Sequence, residues 1–249
     1  MITRQELDRH LQQILEVARF KDYAPNGLQV EGREQIETIV TGVTANRALI
    51  EAALDLKADA ILVHHGFFWK NEDARVVGLK RQRLGMMLSN NLNLFGYHLP
   101  LDAHPTLGNN AQLAHKLGLI ADGTFGDQNL GVIGVLSDTL PLSILADHIA
   151  QQLGRVPQII GDMTKPIRRI GWCTGGAQGY FSDAIAQGID AYITGEISEP
   201  VVHTAREADI AFIAAGHHAT ERYGIEALGR YLAGEFELTH HFVDIDSPV

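Results

Sequence analysis

Two stretches of this chain follow one pattern, and that repetition constrains the fold more than any other feature. In the first, ETIVTGV (37–43) reads as a strand and RALIEAALDLK (47–57) as a helix; DAILVHH (59–65) and NLNLFGYH (91–98) read as further strands. In the second, RRIGWCTGG (168–176), a helix near 177–187, IDAYITGE (189–196) and IAAGHHATE (213–221) follow in the same order. The strands are nearly continuous apolar runs, while Leu49, Ile50, Ala53 and Leu54 share one helical face. Buried strands alternating with helices predict an α/β sheet covered on both sides. Asp59-Ala60 aligns with Asp190-Ala191, which sets Gly195 and Glu196 where His64 and His65 stand. His98-x-x-x-Asp102 likewise matches His217-x-x-x-Glu221. Any two α/β units look alike to a degree, but a repeated His-x-x-x-carboxylate favours a pseudo-twofold pair. Two copies are too few for a solenoid.

Between the copies, NNAQLAHKLGL (109–119) reads as a helix, LGVIGVLS (130–137) as a strand, PLSILADHIAQQLG (141–154) as a helix and VPQIIGD (156–162) as a strand. The polar, glycine-containing ADGTFGDQN (121–129) interrupts the pattern and is the expected junction. The expected domains are 1–125, carrying HHG and HLPLD, and 126–249, carrying GHHATE.

In α/β sheets, ligands collect at the carboxyl ends of the strands. There this sequence puts His64 and His65, His98 with Asp102, and His217 and His218 with Glu221. Imidazole and carboxylate are nitrogen and oxygen ligands suited to zinc, iron, manganese, cobalt or nickel. The set exceeds the three or so protein ligands of one catalytic ion, whereas two ions about 3.5–4 Å apart, bridged by a carboxylate, would use it. His217 and Glu221, four apart, share a helical face. His64 and His65 share a face only if the strand turns, and Gly66 makes a turn possible. His64, His65, Asp102, His217 and Glu221 are therefore the candidate metal ligands. His98 and His218 are further ligands, proton-transfer groups or histidines hydrogen-bonded around the ligands. His104 is a weaker candidate than either, and His10, His115, His148, His203, His240 and His241, scattered along the chain, read as structural. The expected architecture is α/β, two pseudo-twofold-related α/β domains with the metal site between them.

Bulk properties narrow the function. The formal charge of −10 argues against a sequence-blind grip on nucleic acid, although bound cations can reverse the local field for an anionic substrate. No apolar run reaches membrane-spanning length. The N-terminal MITRQELDRHLQQILEVARF has helical spacing rather than the apolar core of a signal peptide. One cysteine, Cys173, permits no intrachain disulfide and fits a cytoplasmic protein. CTGGAQG (173–179) is either a phosphate-holding turn or a plain tight turn. It matches neither the dinucleotide fingerprint nor the P-loop.

DYAPNGLQVEG (22–32), ILVHHGFFWK (61–70), YHLPLDAHPTLGNN (97–110) and AAGHHATERYGI (214–225) resemble, in matching order, the motif set of the NIF-three-like family, whose members carry the name GTP cyclohydrolase 1 type 2. The resemblance implies two related α/β domains around a dinuclear metal site, a short form without the insert domain of some relatives, and a hexameric ring. It also implies His64, His65, Asp102, His217 and Glu221 as ligands, with Asp102 and Glu221 bridging the ions. The expected function is hydrolysis of a purine nucleotide or related compound, such as opening of its imidazole ring. The alternative is a non-enzymatic metal-binding interaction or regulatory protein acting as a ring.

Overall fold

The computed structural model describes residues 1–249. The chain divides into two compact units, residues 1–108 with 224–246, and residues 109–223 with 247–249. Each is a β-sheet with helices packed on it, the α/β architecture that the sequence predicts.

The first unit opens with a short strand β1 (Ile2–Thr3) and helix α1 (Arg4–Ile14). Thr3 and Glu6 form a reciprocal capping box that satisfies the first free N–H groups of α1. There follow β2 (Gly27–Val30), β3 (Gln35–Ile36), β4 (Thr38–Thr44), α2 (Arg47–Asp55), β5 (Ala60–His65), α3 (Gly78–Ser89), β6 (Asn93–Gly96) and α4 (Leu99–Ala103). Strands β4, β5 and β6 run parallel, and β2 closes one edge antiparallel. Alternation of side chains divides the core between the two faces. Ile39, Leu62 and Phe95 meet Leu7 and Leu11 of α1, while Val40, Ile61 and Leu94 meet Leu49 and Ile50 of α2 and Leu84 and Met87 of α3.

The second unit contains α5 (Asn109–Leu117), β7 (Ile120–Phe125), β8 (Gly131–Pro141), α6 (Leu142–Leu153), β9 (Gln158–Ile160), β10 (Pro166–Trp172), α7 (Phe181–Ile185), β11 (Ala191–Thr194), α8 (Glu199–Ala208) and β12 (Ala211–Ala214). Its sheet runs β7-β8-β10-β11-β12-β9, with β10, β11 and β12 parallel and the outer strands antiparallel. Ile170, Ile193 and Ile213 pack with α5 and α6. On alternate residues, Tyr192 stacks on Phe181 of α7 and Phe212 meets the same ring edge-on. Helix α9 (His217–Phe236) is shared, with 217–223 counted in the second unit and 224–236 in the first. Strand β13 (Thr239–Phe242) then pairs parallel with β4.

The two copies use the same anchor. Asp59 Oδ2 accepts the N–H groups of Glu37 and Thr38 at 2.8 and 2.9 Å, and Asp190 Oδ2 accepts those of Arg168 and Arg169 at 2.9 and 2.8 Å. Each aspartate sits just before its strand and ties it to the preceding one, Asp59 at the start of β4 and Asp190 within β10.

The sequence placed the junction at 125/126; compactness divides the chain at Gly108/Asn109 and again at Tyr223/Gly224. The reason lies in packing, since Leu113, Ala114 and Leu117 of α5 join the second unit's core, while Ile225, Leu228 and Leu232 of α9 join the first unit's. The polar segment expected as the junction is largely β7, an edge strand whose residues face solvent apart from buried Phe125. No helix is long and apolar enough to cross a membrane.

Candidate metal centre

In the first unit, β5 ends on His64 and His65. The His64 Nδ1 lies 3.0 Å from the Tyr97 carbonyl oxygen, which can only accept, so Nδ1 carries the hydrogen. The other nitrogen, Nε2, then faces Asp102 Oδ1 at 3.4 Å. This is how proteins present an imidazole to a metal, with one nitrogen tethered and the other directed inward. His65 lies opposite Thr44 on β4, with Nδ1 3.2 Å from Thr44 Oγ1.

Adjacent strand residues point to opposite faces, yet the two rings stand with centroids 4.5 Å apart. Gly66, the next residue, leaves room for Gln29. A Cβ on Gly66 would lie 2.1 Å from Gln29 Oε1, the oxygen that accepts the Phe67 N–H at 2.7 Å.

His98 precedes α4, and Asp102 lies in that helix with its N–H bonded to the His98 carbonyl at 3.2 Å. The ligating atoms of His64, His65 and His98 all lie within 4.8 Å of one another. His98 is held from three sides by the segment after α1. Asn26 Oδ1 accepts its N–H at 2.7 Å, Asp22 Oδ1 meets its Nδ1 at 2.9 Å, and Asp22 Oδ2 accepts the Leu99 N–H at 3.0 Å. Burial pushes the Asp22 carboxyl up, but the bond and charge of His98, with Asn26 and Leu99, outweigh it and bring the pKa down to about 2. Tyr23 and Trp69 meet the His98 ring edge-on at 4.9 and 5.1 Å.

In the second unit, α9 begins straight after β12, and His217 and Glu221 share its inner face. His217 Nε2 is 3.1 Å from Glu221 Oε2, and His217 Nδ1 is 2.6 Å from Glu196 Oε1. Burial lowers the His217 pKa, but two carboxylates bracketing the ring raise it overall to about 9. A cation at Nε2 would replace the proton now shared with Glu221. His218 follows on the same turn, its side chain directed about 100° away, and its N–H bonds the Val249 carbonyl at 3.0 Å.

The glycine turn after β10 serves this pair. A Cβ on Gly175, at φ +68°, would lie 1.8 Å from Glu221 Oε1, and one on Gly195 would lie 2.6 Å from His217 Cα. The N–H groups of Thr174, Gly175 and Ala177 bond the side chains of Asn110, Thr220 and Thr194. Those donors are therefore committed internally, and the turn acts as a close-packing support for Glu221.

The candidate ligands are thus distributed as His64, His65, His98 and Asp102 in one unit and His217 and Glu221 in the other. Their donor types and tethered tautomers fit divalent metal. Sequence reasoning did not single out Asp22, Asn26, Gln29 or Glu196 as site residues. The available signals were DYAPNGLQ, quoted only for its resemblance, and the alignment of Glu196 with His65. Histidines read as structural have local partners: His10 meets Tyr231, His148 the Leu117 carbonyl, His203 Glu199 and His240 Thr41.

A model of the family Duf34/NIF3 (NGG1p interacting factor 3) matches residues 2–248. A Pseudomonas aeruginosa protein named GTP cyclohydrolase 1 type 2 homolog is 53% identical over 247 residues, covering 98% of this chain and 96% of its own. A Neisseria meningitidis protein of the same name is 53% identical over 248 residues, covering 100% of both. Among solved structures, the protein ybgI, of unknown function, matches with a TM-score of 0.96 at 48% identity over 100% of both chains. A Thermus thermophilus protein matches with a TM-score of 0.90 at 33% identity, again over 100% of both.

Proposed function

Because this chain belongs to the Duf34/NIF3 family and carries tethered imidazoles and carboxylates at its strand ends, we propose that it is a dinuclear, divalent-metal-dependent hydrolase acting on a purine nucleotide or related compound. The observation that carries this reading is His64, whose Nδ1 is tethered by the Tyr97 carbonyl while Nε2 faces Asp102 Oδ1 at 3.4 Å, with the His65 ring centroid 4.5 Å from its own. The name shared by its relatives, GTP cyclohydrolase 1 type 2 homolog, supports the nucleotide class.

The residues that would hold the ions are His64, His65 and Asp102 of the first unit and His217 and Glu221 of the second. Zinc, iron, manganese, cobalt and nickel all suit this donor set. When bound, two such ions supply water of near-neutral pKa and polarise the bond under attack. The remaining work falls to the chain. His98 is placed to hand a proton to the leaving group from Nε2, while Asp22, ionised at neutral pH, accepts the Nδ1 hydrogen and fixes the ring. His218 is the second candidate for proton transfer. Tyr23, 54% exposed, and Trp69 beside it offer aromatic faces on which a planar base can stack.

The family description, with its reference to an NGG1p interaction, supports one other reading, a non-enzymatic interaction or regulatory protein in which the metal has no catalytic part. Elemental analysis of wild type, His65→Ala and Glu221→Ala, followed by a nucleotide hydrolysis screen, tests both. About two equivalents per chain, lost in part by each variant, together with metal-dependent turnover, support the hydrolase. Two equivalents without turnover of any nucleotide leave the regulatory reading. No metal after reconstitution removes both.

A further inference from the structure

Glu196 lies outside the ligand set, yet it makes a 2.6 Å contact with a proposed ligand. It stands two residues past the end of β11, at the position that matches His65, the last residue of β5: Ala60 pairs with Ile39 and Ala191 with Ile170, and His65 and Glu196 each lie five residues further on. The repeat therefore keeps the position and exchanges an imidazole for a carboxylate. Its partner is the histidine of the second His-x-x-x-carboxylate motif, contacted at Nδ1. In the first unit Asp22 contacts Nδ1 of His98, the histidine of the first motif, at 2.9 Å. Two copies of one motif thus each have a carboxylate on the same ring nitrogen, supplied from different places in the chain.

We infer that Glu196 is a positioning residue for His217, accepting the Nδ1 hydrogen so that Nε2 faces Glu221 and the ion this pair would hold. The inference rests on the metal reading proposed above. A merely superficial ion pair would contribute little, but this contact is built in. Gln178 Nε2 donates to the second oxygen, Glu196 Oε2, at 3.3 Å, and the His217 backbone is pressed against Gly195, the residue before Glu196. Both ends of the contact are therefore fixed by their own neighbours. A hydrogen bond to the far nitrogen of a metal-binding histidine sets its tautomer and raises its basicity, and its loss commonly costs about 10- to 100-fold in metal affinity.

The test is cobalt affinity of the full chain by chelator competition, with the cobalt visible absorption band and ¹⁵N spectra of the His217 ring as direct readouts. Glu196→Ala is expected to bind one ion about 10- to 100-fold more weakly, with a changed visible band and an unchanged thermal midpoint without metal. Glu196→Gln, which keeps an acceptor oxygen, should recover part of the affinity and restore the Nδ1-protonated ring. Two ions bound as tightly by Glu196→Ala as by wild type, with the same band, would overturn the inference and leave the metal reading standing. Loss of an ion from Glu196→Gln as complete as from Glu196→Ala would overturn it by making Glu196 a ligand. Wild type that binds no cobalt brings down the metal reading and this inference together.

Discussion

At the scale of single residues, His240 links stability to pH. It lies on β13 with Nε2 2.8 Å from Thr41 Oγ1. Burial, then the charges of Arg230 and His241, bring its pKa down from the ordinary 6.5 to about 4. Between those values the unfolded chain takes a proton that the folded one refuses. Its contribution is therefore present above pH 6.5 and is lost as the pH falls through 4. Wild type should lose more stability between pH 7 and pH 4 than His240→Gln, measured by urea unfolding at both values; equal losses would clear His240 of the effect. Residue roles were unevenly legible in the sequence. His64, His65, His217 and Glu221 could be marked because ligand-type residues at strand ends are visible in one dimension. Asp22 and Glu196 could not, because their partners lie 76 and 21 residues away and only the fold makes the pairs.

At the scale of elements, glycines separate packing from propensity. Gly85 lies within α3 with nothing within 4 Å of where a Cβ would stand. Gly85→Ala should stabilise the protein by about 1 kcal/mol, the ordinary helix preference. Gly195 follows β11, and a Cβ there would meet the His217 backbone and the Gly175 carbonyl at 2.6 to 2.8 Å. Gly195→Ala should destabilise by about 1–3 kcal/mol, as overpacking does. Thermal and denaturant midpoints of the two variants must move in opposite directions if this reading holds. The apolar parallel strands were the most legible elements, since burial on both faces leaves continuous hydrophobic runs. Strand β7 was not, because an edge strand in water has the composition of a loop. Helix α3 escaped as well: it buries Leu84 and Met87 but leaves Leu79 and Leu88 exposed, so no single apolar stripe marks it.

At the scale of the whole molecule, the proposed ions become a stability term. Cobalt at 100 times its dissociation constant stabilises by about 2.7 kcal/mol per independent site, on the order of 5–10 °C in melting temperature for a chain of this size. Differential scanning calorimetry should show that rise, its reversal by a chelator and a smaller rise in Glu221→Ala. A melting temperature indifferent to cobalt would count against tight binding. The two-unit α/β plan was legible from the repeat, whereas the way the chain is divided was not, because helix α9 carries no break at 223/224 for a sequence reader to find.

That division has a consequence for synthesis. The second unit's main segment, 109–223, lies between the two pieces of the first. As the chain leaves the ribosome from its N-terminus, the first unit must wait, without β13 and without Ile225, Leu228 and Leu232, until all of that segment has emerged. The piece made first is therefore completed last, and through that interval strand β4 has an open edge.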